Sequence, residues 1–360
     1  MIVEVNLGNR SYRIVVASGA LQSVGERLRE LRLGTRAALV SDGAVMRLYG
    51  KTVVASLEAA GFTLTTIEVP EGEAAKTLTV AQHCWDQLLA AGLDRTSTVL
   101  ALGGGAVGDV AGFAAATYMR GINFVQLPTT VLAQVDASVG GKTAIDHPLG
   151  KNMIGAFHQP RLVVVDPAVA RTLPEREFRS GLAEIVKHGI VLDAGYFAEL
   201  ERDLAPLAAR DLGVLERIIG GSCRLKASVI ERDEREAELR HVLNYGHTIG
   251  HALEASTGYA RYAHGEAVAL GMVAEARLAR RLGIADDETT TRQQRMLETL
   301  GLPVRAPSID VEPVVTAMAR DKKAKDGRIP FVLAPRIGEF RLVYDIPPTE
   351  IRAAIASLAS

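Results

Sequence analysis

Four of the chain's eight histidines fall between positions 241 and 264. In Arg240-His241-Val242-Leu243-Asn244-Tyr245-Gly246-His247-Thr248-Ile249-Gly250-His251, the residues Arg240, Asn244, His247 and His251 follow at intervals of 4, 3 and 4. That spacing predicts one stripe along a continuous helix. A cation, an amide and two imidazoles make a poor core face and a good polar site. His264 follows in a loop, and Gly265 and Glu266 open the next helical segment. Upstream, Glu184 and Lys187 stand at i,i+3 in Gly-Leu-Ala-Glu-Ile-Val-Lys-His-Gly and share a helix face. A carboxylate with two imidazoles is a common catalytic zinc set that leaves a position for substrate. Spacing alone nominates His247 and His251 as the imidazole pair. Thr248 after His247 breaks the HExxH pattern, so a zinc protease is disfavoured. His83, His147 and His158 read as structural.

A second concentration is glycine-rich. Thr98-Val99-Leu100-Ala101-Leu102 runs into Gly103-Gly104-Gly105-Ala106-Val107-Gly108-Asp109, and an Ala-rich helical segment follows. Gly103, Gly105 and Gly108 satisfy GxGxxG in a strand–turn–helix context. Glycines admit a pyrophosphate close to the backbone, and the helix start offers free N–H groups. A standard dinucleotide fold adds an acid about 20 residues on, but nothing acidic lies between Asp109 and Asp136. The ribose contacts must come from elsewhere. Candidates are Asp42, just after a predicted strand, and the loop Pro70-Glu71-Gly72-Glu73-Ala74-Ala75-Lys76.

Residues 126–160 are polar and glycine-rich, with Thr129, Thr130, Asp136, Lys142, Lys151 and Asn152. Two lysines among glycines, with acid, amide and hydroxyls nearby, predict a loop pocket for a small polyanion.

These groups need elements to hold them. Val3, Val5 and Leu7 and then Tyr12, Ile14 and Val16 flank Gly8-Asn9, predicting a hairpin. The runs 37–40, 64–69, 98–102, 124–127 and 162–165 alternate with helical text, which predicts a doubly wound, mostly parallel α/β sheet. From about Pro174 the text is mainly helical, over 178–189, 194–209, 212–235, 242–257, 264–282 and 286–300, with strand signals only at 329–333 and 340–343. The reading is therefore an α/β domain over 1–172 and a helical domain over 173–360.

The chain has 360 residues, 48% hydrophobic and 23% charged, with a net charge of −1. This is the profile of a globular protein of two domains. Near-neutrality argues against nucleic acid or an anionic membrane surface as partner, because both need a basic field. Aromatics at 5% argue against a base-stacking platform. The longest uncharged stretch, Gly121 to Val135, is too short and too polar to cross a bilayer. Cys84 and Cys223 lie far apart and read as small buried hydrophobes in a reducing, cytoplasmic compartment.

The chain resembles the 3-dehydroquinate synthase family of sugar-phosphate cyclases along essentially its whole length. The motifs are Pro-Glu-Gly-Glu-Ala-Ala-Lys (70–76), Gly-Gly-Gly-Ala-Val-Gly-Asp (103–109), Gln-Leu-Pro-Thr-Thr (126–130), Val-Asp-Ala-Ser-Val-Gly-Gly-Lys-Thr (135–143), Gly-Lys-Asn (150–152), Leu-Ala-Glu-Ile-Val-Lys (182–187), Leu-Asn-Tyr-Gly-His-Thr-Ile-Gly-His-Ala (243–252), His-Gly-Glu-Ala-Val (264–268) and Asp-Lys-Lys (321–323). The resemblance implies an NAD-binding domain, a helical metal-binding domain and an active site in the cleft. It assigns zinc, or cobalt, to Glu184, His247 and His264, and moves His251 from ligand to acid/base. It implies NAD contacts at Asp42, Glu71, Gly72, Glu73, Lys76, Gly105, Ala106, Val107, Gly108, Asp109, Thr129, Thr130, Lys142, Lys151 and Thr172. Substrate contacts would be Asp136, Lys142, Asn152, Lys187, Lys226, Arg240, Asn244, His251 and Lys322 or its neighbour Lys323. Lys142, Asn244 and Arg240 would join His251 in catalysis. Arg120 would reach the phosphate from the other subunit of a homodimer.

The implied substrate is a phosphorylated keto acid with two anionic ends, which makes sense of converging Lys and Arg. NAD would oxidise an alcohol transiently, phosphate would leave by β-elimination, and reduction, ring opening and aldol closure would follow. Other sugar-phosphate cyclases share this cofactor logic. A metal-dependent NAD alcohol or glycerol dehydrogenase is the alternative from another reaction class, and Lys142, Lys151, Lys226 and Arg240 speak against it, since a small neutral alcohol has no use for so many cations.

Overall fold

Runs such as Thr98-Val99-Leu100-Ala101-Leu102 are apolar on both alternating faces, so the strand is stable only where both sides of a sheet are covered. A computed structural model describes residues 1–319 and 329–360 and has that arrangement. As far as residue 173 the chain forms β1 (Ile2–Val5), β2 (Tyr12–Val16), α1 (Val24–Glu30), β3 (Arg36–Asp42), α2 (Gly43–Val45), α3 (Lys51–Ala59), β4 (Thr63–Val69), α4 (Leu78–Ala90), β5 (Thr98–Gly103), α5 (Gly105–Thr117), β6 (Asn123–Pro128), β7 (Lys142–His147), β8 (Gly150–Phe157) and β9 (Leu162–Val165). Seven strands make one sheet in the order β1-β2-β9-β6-β5-β3-β4. The β1–β2 pair is antiparallel, with Val5 opposite Tyr12, and every other neighbouring pair is parallel. The doubly wound, mostly parallel expectation holds.

Alternate residues of each strand feed two separate cores. Ala38, Val40, Val99, Ala101 and Phe124 pack with Cys84 and Leu88 of α4 and Val110 of α5. Ala37, Leu39, Leu100, Leu102 and Val125 pack on the opposite face with Leu28 of α1 and Leu57 of α3. Each such buried Val or Leu contributes about 1.5–3 kcal/mol. Because β3 pairs with β4 on one side and β5 on the other, the winding reverses between β3 and β5. In open α/β sheets, ligands bind outside the strand C-termini at such a reversal. Asp42 ends β3 and Gly103 ends β5 there.

The segment read as a lysine-bearing loop is instead a hairpin. β7 and β8 pair antiparallel, with Lys142 opposite Phe157. The strand signal was hidden because β8 is mostly exposed and so lacks an apolar alternation. Gly155 serves the pairing, since a Cβ there would stand 2.3 Å from Thr143 O.

Beyond residue 173 come α6 (Glu175–Leu192), α7 (Ala194–Arg202), α8 (Leu204–Ala208), α9 (Leu212–Arg232), α10 (His247–Ser256), α11 (His264–Arg281), α12 (Asp287–Thr299), α13 (Val311–Ala319), β10 (Phe331–Leu333), β11 (Arg341–Val343) and α14 (Pro348–Ala356). The chain divides into two units, Met1–Leu173 with Leu215–Arg235, and Pro174–Val214 with Glu236–Ser360. Most of α9, placed by its position in sequence with the second half, therefore belongs to the first unit. It is held there by Cys223, whose thiol donates to Gln134 O, and by Lys226, which pairs with Asp136. Both cysteines are free and buried, and burial pushes each thiol up to about 12. Among the described residues no helix is long and apolar enough to cross a membrane.

Candidate active site

Glu184 and Lys187 lie on α6, which runs for 18 residues and is buried through its middle. Glu184 is fully buried and neither carboxylate oxygen has a hydrogen-bond partner, though Lys187 Nζ pairs with Oε2. Oε1 instead faces two imidazoles, His247 Nε2 at 3.4 Å and His264 Nε2 at 3.7 Å. Burial works to raise this carboxyl, but the Lys187 ammonium and the two imidazoles outweigh it and hold it well below the usual carboxylate range.

The far nitrogen of each imidazole is committed. His247 Nδ1 donates to Tyr245 O at 3.1 Å, and His264 Nδ1 meets Glu254 Oε1 at 3.4 Å. With Nδ1 the donor, Nε2 of both rings is the atom turned towards Glu184. Metal-binding histidines are oriented in this way by acceptors behind them. His247, His251 and His264 each bring a ring nitrogen within 4.8 Å of the others. A hard oxygen and two imidazole nitrogens fit zinc or cobalt. The two rings titrate in opposite directions. Burial and then Lys187 push His247 down. For His264 burial also pulls down, but the carboxylates of Glu184 and Glu254 win and raise it to about 10.

His264 joins the cluster through tertiary packing. Gly265 N donates to Ser180 Oγ at 2.9 Å, and a Cβ at Gly265 would lie 2.0 Å from Ser180 O. The start of α11 thus sits directly on α6.

The predicted stripe from Arg240 to His251 is not one helix. Residues 239–244 form a 3₁₀ helix, and α10 begins only at His247. Gly246 between them has φ 77°, and a Cβ there would lie 2.6 Å from Met272 Cγ. Arg240 and Asn244 therefore precede the break, with Arg240 buried and Asn244 Nδ2 3.4 Å from His241 Nδ1. Only His247 and His251 share α10, with ring centroids 5.1 Å apart.

In the first unit the glycine loop opens α5 at the end of β5, and Gly104 caps it with no side chain. Thr129 N donates to Gly103 O at 2.9 Å, while the buried Thr129 Oγ1 has no hydrogen-bond partner. Uncapped amides and an orphaned hydroxyl at the reversal point fit a dinucleotide phosphate. Two of the glycines also serve packing: a Cβ at Gly103 would meet Val107 Cβ at 2.6 Å, and one at Gly108 would meet Gln126 Oε1 at 2.8 Å. Ala106, Val107 and Asp109 lie in the first turns of α5.

The charged residues around this loop are tied to one another. Lys76 is buried, pairs with Asp109 at 2.8 Å, reaches Asp146 at 3.9 Å and donates to Asn152 Oδ1. Burial raises Asp109 to about 6 despite that lysine. Lys151 pairs with Glu73 at 3.1 Å. Glu71 and Gly72 are exposed, and Gly72 has φ 66°. Asp42 accepts from Val45 N at 2.9 Å and so caps α2. Thr130 Oγ1 accepts from Ala133 N, and Thr172 shares a hydrogen bond with the Tyr49 hydroxyl. Lys142 opens β7 and is exposed. Arg120 is exposed too, on a turn where Met119, Arg120 and Gly121 all have positive φ. Lys322 and Lys323 lie outside the described residues.

Spacing missed Asp146, Glu254 and Glu275. Glu254 follows His251 by one helical turn, a signal that was available. Glu275 is an acid within the apolar run of α11, Ala-Leu-Gly-Met-Val-Ala-Glu-Ala.

The fold is similar to that of 2-epi-5-epi-valiolone synthase from Streptomyces hygroscopicus subsp. jinggangensis, solved with NAD+ and Zn2+ bound, at 30% identity, 98% coverage of each chain and a TM-score of 0.89. It is equally similar, with a TM-score of 0.89, to 2-deoxy-scyllo-inosose synthase complexed with carbaglucose-6-phosphate, NAD+ and Co2+, at 25% identity and 99% coverage of each chain. Residues 66–180 match the family model for the 3-dehydroquinate synthase N-terminal region, and residues 181–324 match that for its C-terminal region. A curated 3-dehydroquinate synthase of Geobacter metallireducens is 54% identical over 339 residues, 94% of each chain. The chain belongs to the 3-dehydroquinate synthase family.

Proposed function

We propose that this chain converts 3-deoxy-D-arabino-heptulosonate 7-phosphate to 3-dehydroquinate and inorganic phosphate, the reaction its family is named for, as a lyase of the shikimate pathway. The observation that carries the reading is the approach of His247 and His264 to one oxygen of Glu184, with both Nδ1 atoms committed behind them. Zinc or cobalt would be held by Glu184, His247 and His264 and supplies Lewis acidity toward a hydroxyl, while NAD, held by Asp42, Glu71 to Glu73, Lys76, the 105–109 turn, Thr129, Thr130, Lys142, Lys151 and Thr172, supplies reversible hydride transfer.

The chain's own residues do the rest. Lys142, Lys187, Lys226 and Arg240 bind the carboxylate and phosphate of the substrate, and Asp136, Asn152 and Asn244 orient its hydroxyls. His251, one turn from His247, moves the proton at the secondary hydroxyl oxygen. The departing phosphate takes the proton from the adjacent carbon, so that step needs no protein base. Lys226 and Asp136 are already paired, which supports their acting as a unit. Arg120 would act on the phosphate from a second copy, making the working form a cytoplasmic homodimer.

Because hydride is returned, catalysis needs only a trace of NAD. The test is to incubate the full chain with this substrate, trace NAD and zinc, and follow phosphate release. Release should far exceed the NAD supplied and should stop with a chelator. NADH accumulating in step with substrate loss would overturn the reading and point to a dehydrogenase.

A further inference from the structure

Glu275 lies on α11, eleven residues past His264, and is fully buried. Its Oε2 accepts from Gly246 N at 2.6 Å. The same peptide unit carries Tyr245 O, which accepts from His247 Nδ1 at 3.1 Å. One rigid amide therefore has a buried carboxylate on its N–H and an imidazole on its carbonyl. A hydrogen bond donated by the N–H to that oxygen polarises the amide and makes its own carbonyl oxygen a stronger acceptor.

The surroundings leave this peptide little freedom. Tyr245 is fully buried, and its hydroxyl donates to Gln293 Oε1. A Cβ on Gly271 would stand 1.9 Å from Gly246 O, and a Cβ on Gly246 would lie 2.7 Å from Val268 O. α11 therefore shapes the turn from beneath, and Gly246 takes φ 77° at the start of α10. His264 has a carboxylate directly behind it, Glu254. His247 has one too, at one peptide's remove.

We propose that Glu275 is a positioning residue that fixes the orientation and Nδ1–H tautomer of His247 through the Tyr245–Gly246 peptide, and thereby sets the affinity of the Glu184–His247–His264 set for a divalent metal. This rests on the proposed function, in which those three residues hold the metal. A carboxylate that only satisfied the Gly246 N–H would matter for stability and leave metal affinity alone.

The experiment uses the full chain with Glu275→Gln and Glu275→Ala. Zinc affinity is measured by competition with a chromophoric chelator, the visible absorption of the Co2+ form is recorded, and melting temperatures are taken with and without zinc. Glu275→Gln should fold, raise the zinc Kd about tenfold, shift the cobalt bands and lower kcat with the KM for NAD unchanged. Glu275→Ala, if it folds, should exceed that loss. If neither accumulates, Glu275→Asp, which keeps the carboxyl group but withdraws it by one methylene, should show the same weakening. A folded variant that holds zinc within twofold of the parent, with an unshifted cobalt spectrum, would overturn the proposal. A parent chain that neither binds zinc nor releases phosphate would instead refute the proposed function, so the two failures are distinguishable.

Discussion

The cluster at Glu184 and the polar loops of the first unit both gather charge, but they satisfy it differently. Around Glu184 the imidazoles are aimed by groups behind them, Tyr245 O and Glu254, and their Nε2 atoms face one carboxylate. In the first unit the charged groups neutralise each other, Lys76 with Asp109, Lys151 with Glu73 and Lys226 with Asp136. In the first arrangement the imidazoles are aimed before any ligand arrives, although Lys187 is paired with Glu184 there too. The second would have to exchange partners for the proposed anionic ligands to bind, so part of the gain from new contacts would replace old ones. A metal set that depends on sub-ångström geometry suits the first design.

The difference can be broken by substitution, beginning with the largest effect. Glu184→Gln should lower kcat/KM by about 100-fold or more, since it removes a proposed ligand where even an outer partner is worth 10–100-fold. It also strands the buried Lys187 ammonium, at a cost of about 3 kcal/mol. NAD affinity, measured by fluorescence titration, should stay near that of the parent. Equal loss of zinc and NAD binding would erase the distinction between the two regions.

Lys76→Met is the mirror experiment. It strips Asp109 and Asn152 of their shared cation and should cost about 3 kcal/mol in urea unfolding. NAD should bind more weakly and zinc as before. Gly246→Ala should cost about 2 kcal/mol or more, combining the left-handed φ with the 2.6 Å approach to Met272. Unlike Lys76→Met it should weaken zinc, because the Tyr245–Gly246 peptide would shift.

The pH dependence of Asp109 sharpens the contrast. Burial raises its carboxyl to about 6, above its unfolded value, so the folded state binds this proton more readily. The destabilisation is fully present above pH 6 and is relieved as pH falls towards 4, by about 2 kcal/mol. The Tm of the parent minus that of Asp109→Asn should therefore rise over that window. A flat difference would show that Lys76 holds Asp109 ionised throughout. The smallest effect is expected of Glu254→Gln, about tenfold in zinc affinity, by chelator competition.

Much of this was legible in the sequence, for reasons that differ by region. Strands β3, β5, β6 and β9 were readable to within two residues because buried parallel strands are continuous apolar runs, and the edge strand β4 was readable through its β-branched residues, Thr63, Thr65, Thr66, Ile67 and Val69. β8 was not, because an exposed strand needs no such run. The stripe at 240–251 failed at one residue. The left-handed turn at Gly246 is imposed by α11 and Glu275, which lie far on in sequence, so a local period carried across it. Spacing likewise favoured His251 beside His247 and could not see His264, whose place depends on Gly265 packing against Ser180. The motif resemblance named His264, and the geometry turns its Nε2 towards Glu184.

Zinc K-edge absorption on the loaded chain tests the central assignment most directly. The parent and His251→Ala should both show two imidazoles and a carboxylate oxygen at about 2.0–2.2 Å, and His264→Ala should lose one imidazole. A parent with three imidazoles, or a His251→Ala spectrum that loses one while His264→Ala keeps both, would contradict it.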